Sequence, residues 1–166
     1  YYKIMFTSLR DAAAANSVQV GEVAFFDGSG RLAVESVTPS SGNSPGGEVV
    51  DNVIDGSADT KYLNFDGTNS GFVAQFNQAT AVSSLQFTSA GDAVERDPTT
   101  FQLFGSNSVL DFNSGDWISL SEGRTGLSTD REATGPQVQV GLTDTYTVTA
   151  TDGTWSVAPG TLADGA

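Results

Sequence analysis

The sequence predicts an all-β fold, an antiparallel β-sandwich of the jelly-roll kind, on three observations. Short apolar, aromatic and β-branched runs recur at close spacing. No long segment keeps a helical period between them. Polar, turn-forming stretches punctuate the runs, with 19 Gly among 166 residues. Many short strands separated by turn signals are the pattern of a sandwich or jelly roll.

The opening run YYKIMFTSL, residues 1–9, is long enough for one strand. DAAAANS then reads as a loop or a single helical turn. SVQVGEVAFF gives a second strand, closed by the hairpin-type turn Asp27-Gly28-Ser29-Gly30, with residues 31–37 as its returning partner. The stretch 40–47, SSGNSPGG, is a loop. Later strands are expected at 71–76, 83–89, 99–106, 116–120, 136–142 and 145–150. Residues 1–150 are expected to form the sandwich. Residues 151–166, where hydrophobic density falls, read as a terminal strand or linker tail.

Composition narrows the function. Lys plus Arg number 7 against 20 Asp plus Glu, a net charge of −13. Phosphate binding needs clustered cations, so nucleic acid and anionic membrane surfaces are disfavoured, whereas cations and neutral partners such as sugars are tolerated. The chain has no Cys and no His. That removes thiolate chemistry, the commonest general base and the commonest transition-metal ligand. No apolar run reaches the roughly 18 residues of a membrane-spanning helix, so no membrane insertion is expected. The chain begins at Tyr1, and any targeting segment is expected to lie outside it.

Two segments carry candidate chemistry. Asp51 to Phe65, DNVIDGSADTKYLNF, crowds Asn52, Asp55, Ser57, Asp59 and Thr60 onto a short Gly-interrupted stretch. Such a loop can be a solvated turn. It can also be the oxygen-rich irregular loop that calcium requires, with about 6–8 oxygen ligands including backbone carbonyls. Its spacing is not that of an EF-hand. The second segment is the strand 18–26. Strict alternation puts Val18, Val20, Glu22, Ala24 and Phe26 on one face, with Glu22 in the middle of an apolar row. A buried ionised carboxylate is costly, so Glu22 needs a salt bridge, a raised pKa or a cation. Few basic residues are at hand for the first. A bulge at Gly21 would undo the alternation.

Together, residues 1–27, 45–65 and 72–107 resemble the discoidin, or coagulation-factor C-type, domain of the galactose-binding-like superfamily, which includes many carbohydrate-binding modules. The segments carrying the likeness are YYKIMFTSLRDAAAANSVQVGEVAFFD, PGGEVVDNVIDGSADTKYLNF, FVAQF and SAGDAVERDPTTFQLFGSN. The resemblance implies a structural calcium ion held by the carbonyls of Gly21 and Asn52, the carboxylates of Glu22 and Asp55, Ser57 and Thr60. Ser57 stands where an acid or amide is commoner, which makes Asp59 an alternative donor. The likeness also implies a shallow sugar site in end loops, for which GDAVERDP offers Asp92, Arg96 and Asp97, with Trp117 as a stacking ring. Against each stands a structural role: an internal salt bridge for Arg96, a core position for Trp117. Tyr62 and Phe65 are expected to pack beneath the metal loop, while Arg124 and Arg131 are further loop-end candidates.

The segment that opens this chain normally closes such a domain. The terminal strands are therefore expected to be permuted, or to pair with a neighbouring subunit. The resulting expectation is a non-catalytic, secreted or cell-surface, calcium-stabilised domain that binds a glycan or cell-surface polysaccharide. It would act within a tandem-domain parent protein or a homo-oligomer. The rival class is a structural subunit of a surface filament or wall layer, assembled by strand pairing.

Overall fold

A computed structural model describes residues 1–141 and, beyond them, the backbone of two strands, Tyr146–Ala150 and Gly153–Val157. β1 covers Tyr2–Leu9, β2 Val18–Val20, β3 Glu22–Asp27 and β4 Gly30–Arg31. β5 is Ser36–Pro39, β6 Tyr62–Asn64, β7 Gly71–Gln75 and β8 Ser84–Thr88. β9 is Pro98–Gly105, β10 Ile118–Arg124 and β11 Val138–Gln139, followed by β12, Tyr146–Ala150, and β13, Gly153–Val157. The described helical pieces are two short 3-10 turns, Val50–Val53 and Val94–Arg96.

The expected all-β sandwich is the observed architecture. A five-stranded antiparallel sheet, ordered β10-β9-β1-β7-β5, lies against a four-stranded one, ordered β11-β8-β3-β4. β2 and β6 form a separate two-stranded ribbon, and β12 pairs with β13. Ile4, Phe6, Phe72, Ala74, Phe101 and Leu103 of the first sheet meet Val23, Phe25, Leu85 and Phe87 of the second in one core. Phe87 and Phe101 pack across it at 5.1 Å between ring centroids. Val18, Val20, Tyr62 and the 3-10 residues Val50 and Val53 close the end of that core.

The opening strand lies at the centre of its own sheet. β1 pairs with β7 on one side and with β9 on the other, so the chain fills that place itself. Of the two expectations for the opening strand, pairing with a neighbouring subunit is not needed, because both neighbours of β1 are strands of its own chain. The expected single strand 18–26 is corrected. It breaks at Gly21 into β2, paired with β6, and β3, paired with β8. Of residues 31–37 only Arg31 and Leu32 return along β3, opposite Phe26 and Phe25, before Ser36–Pro39 crosses to the other sheet. DAAAANS is a turn, in which the Asp11 carboxylate accepts the amides of Ala13 and Ala14. The expected boundary at 150/151 falls between two strands paired with each other, and residues 158–166 of the tail lie outside the described residues.

The outer face of the five-stranded sheet carries a second apolar cluster. Val73, Phe112 and Trp117 are buried there with Met5 and Phe104 against them. Lys3, 7% exposed, lies beneath this cover with its ammonium 4.2 Å from the Phe104 ring centroid and 5.2 and 5.4 Å from those of Phe112 and Trp117. It donates to the Phe112 carbonyl at 3.1 Å. Burial lowers its pKa, and ring faces and a carbonyl replace the lost water.

No described helix is long and apolar enough to cross a membrane. Sheet packing is tightest where Gly71 meets β1. A Cβ there would stand 2.0 Å from the Ile4 carbonyl oxygen, which belongs to the backbone and cannot move aside. Gly71→Ala is therefore expected to cost at least about 1–3 kcal/mol in urea unfolding, the scale of overpacking. An unchanged midpoint would contradict this register.

Candidate functional site

The break at Gly21 builds the first part of the site. The Gly21 amide donates to the Thr88 carbonyl at 2.9 Å, and a Cβ at Gly21 would stand 2.9 Å from the Ser89 carbonyl oxygen. The chain turns against β8 here and shifts the side-chain phase by one residue. Val18 and Val20 point into the core before the break, Val23 and Phe25 after it. Glu22 thus leaves the core face, correcting the expectation of a carboxylate in an apolar row. It is nevertheless only 8% exposed, because the Asp55–Gly56 turn and Arg31 cover it.

Glu22 has three neighbours. Its Oε1 accepts the Gly56 amide at 2.9 Å, and its Oε2 accepts Arg31 at 3.2 Å. The third is Asp55, which precedes Gly56 in the turn and whose carboxyl perturbs the titration of Glu22. Burial raises the Glu22 pKa above its ordinary value; the Asp55 carboxyl raises it further, while Gly56 and Arg31 oppose. Asp55 moves the other way. Desolvation is outweighed by the Thr60 hydroxyl, the Ser57 amide and the Glu22 side chain, which together hold its pKa below the usual range. The salt bridge disfavoured from composition is thus present, and a raised pKa accompanies it.

The remaining expected ligands surround this carboxyl pair. The Thr60 hydroxyl donates to Asp55 Oδ2 at 2.7 Å and lies 3.1 Å from the Ser57 carbonyl. The Asn52 side chain faces the other way, donating to the carbonyls of Gly47 and Lys61. Tyr62 is fully buried in the main core, its hydroxyl donating to the Gly71 carbonyl, whereas Phe65 is 46% exposed and does not pack beneath the loop. Two carboxylates, a hydroxyl and nearby backbone carbonyls suit a hard divalent cation in chemistry and in charge. Among the described residues no group of three or more Asp, Glu, His or Cys side chains gathers, so most donors would be neutral oxygens.

The expected sugar-contacting residues do not form one constellation. Asp97 is fully buried, gripped by Arg131 through contacts of 2.9 and 2.5 Å and approached by Arg10 at 3.4 Å. Arg131 also donates to the carbonyls of Ala90 and Asp92, and Arg10 to those of Leu127 and Ser128. Asp97 therefore staples loops together and presents no oxygen to a ligand. Trp117 is likewise corrected from a stacking ring to a buried one, its Nε1 donating to the Asp111 carbonyl. Arg96 lies along Glu95, and Arg124 is exposed on β10. Asp92 remains accessible, with its side chain 58% exposed.

Sequence reasoning missed Lys61, which donates to Asp92 at 2.6 Å and to the buried Gln19 at 3.1 Å. Lys61 is one of only 7 basic residues and follows the acidic loop directly, a signal that could have found it. No family model matches the chain, and neither a curated protein nor a solved structure matches it.

Two stability outcomes follow from these contacts. A carboxyl with a raised folded-state pKa holds its proton more tightly when folded. Stability therefore falls as pH rises from the ordinary Glu value through the raised one. At pH 7 in chelator, Glu22→Gln is expected to melt at or above the wild-type temperature, since the Arg31 pair it removes is half-exposed and worth only about 0–1 kcal/mol. A clearly lower melting temperature would show the pair to dominate. Asp97→Ala should lower unfolding free energy by about 3 kcal/mol, because it strands two Arg side chains. Denaturant titration checks this.

Proposed function

We propose that this chain is a non-catalytic, extracellular, calcium-stabilised carbohydrate-binding or adhesion domain of the discoidin type. The observation that carries the reading is the approach of Glu22 to Asp55. The turn at Asp55 and Gly56 closes over the buried Glu22, whose Oε1 accepts the Gly56 amide at 2.9 Å, so two carboxyl residues from distant parts of the chain come to one place. Like charges brought together in this way are stabilised by a cation placed between them. Glu22, Asp55, Thr60 and Ser57 would hold it, with the Gly21 and Asn52 carbonyls completing the shell. The ion would supply no chemistry; it would tie the loop to β3 and keep the neighbouring surface preorganised for a ligand. Absence of His and Cys supports a binding role over catalysis.

A structural-subunit reading stands second, favoured by one feature. The edge strand β10 exposes Ile118 at 66% and Leu120 at 40%, an apolar edge open to strand pairing. Strand donation by β1 has lost its motive, since β1 is paired on both sides.

Calcium is expected to raise the wild-type melting temperature and to leave that of Glu22→Gln unmoved. A wild-type melting temperature indifferent to calcium would remove the metal. A glycan array read with and without chelator tests the binding role. Absence of glycan binding, together with concentration-dependent polymers on sizing, favours the subunit reading.

A further inference from the structure

Beside the Glu22–Asp55 pair lies an open groove of about 320 Å³, near the lower size of small-molecule sites. Glu48, Asp59, Thr60, Lys61 and Asp92 line it. Among the described residues lining it Lys61 is the one cation, with a side chain only 13% exposed. The ammonium donates to Asp92 at 2.6 Å and to Gln19 at 3.1 Å, and Glu48 lies 3.6 Å away. Gln19 is itself fully buried and anchored to the carbonyls of Asp92 and Ala93. The ammonium is thus fixed before any ligand arrives, as an adaptable surface lysine would not be. The Asp92 side chain, by contrast, remains more than half exposed.

Charge and shape narrow what could enter. Two carboxylates, Asp92 and Glu48, stand against the one ammonium and Asp59 adds a third acid to the lining, so an anionic ligand is repelled. Carboxylate oxygens accept from adjacent hydroxyls, and the ammonium, spent on Asp92, Gln19 and Glu48, holds those acceptors in place. The groove also shares a wall with the cation loop. Thr60 lines the groove, while its hydroxyl donates to Asp55 Oδ2 at 2.7 Å. Asp59 and Lys61 flank it in sequence and line the same wall.

We propose that this groove is the domain's ligand subsite and takes a sugar without negative charge through adjacent hydroxyls. A cation at Glu22–Asp55 strengthens binding by fixing the Asp55–Thr60 turn. The proposal rests on the carbohydrate-binding reading and places that function on Lys61, Asp92 and Glu48.

The test applies the wild-type chain, Asp92→Asn and Glu48→Gln to an array of neutral, amino and acidic glycans, in calcium and in chelator, with melting curves recorded alongside. Both substitutions are nearly isosteric, and the melting curves report whether the fold is kept. The expected result is wild-type binding to neutral or amino glycans. Each variant should weaken it about tenfold, the scale of one charge-assisted hydrogen bond, at an unchanged melting temperature. Chelator should weaken wild-type binding while the protein stays folded. Binding retained by both variants would overturn the subsite and leave the carbohydrate reading standing. Selective binding of acidic glycans would overturn the groove on charge. Equal binding in chelator would overturn the link to the cation. No binding to any glycan would overturn both the subsite and the reading beneath it.

Discussion

The close approach of Gly21 to the carbonyl of Ser89 is the constraint on which the functional end depends. No side chain fits there, so the chain presses its backbone against β8 and changes phase. Both halves of the 18–26 segment then deliver apolar side chains to one core, although simple alternation would have sent one half outward. The residue displaced by this shift is Glu22. It emerges on the outer face beside the Asp55 turn, where Arg31 and the Gly56 amide close over it. A larger residue at Gly21 would disturb core packing and carboxyl pair together.

The basic residues show how the rest of the molecule is arranged. Five of the 7, namely Arg10, Arg31, Lys61, Arg96 and Arg131, take part in ion pairs with the chain's own acids. Lys3 is enclosed by aromatic rings. The protein thus uses its cations internally, chiefly to staple loops, and its described surface is left acidic. Such a surface suits a metal ion or an uncharged ligand and opposes phosphate, sulfate or an anionic membrane. The buried Asp97 illustrates the cost of reading an acid in a loop as available. Its two Arg partners come from residues 10 and 131, far from it in sequence.

Strands with strong apolar character were legible: 1–9, 71–76, 83–89 and 99–106 all fall on observed strands, because period-2 burial is written into each locally. The oxygen-rich loop and its pairing with Glu22 were legible too, the loop from composition and the pairing through family resemblance. The crossing of Ser36–Pro39 to the opposite sheet, the burial of Trp117 and the role of Lys61 were not. Each depends on which distant segment arrives alongside, and a local pattern holds no record of that.

By itself, then, the sequence determined that this chain forms a β-sandwich, that it lacks His and Cys chemistry, and that residues 51–65 carry an oxygen-rich stretch. These follow from composition and short-range periodicity. Only the tertiary structure decided which face Glu22 occupies, that Asp97 is sealed by two arginines, and that Lys61 and Asp92 meet at a groove beside the loop. Those outcomes turn on a one-residue phase shift and on long-range contacts, which exist only once the two sheets have closed over their core.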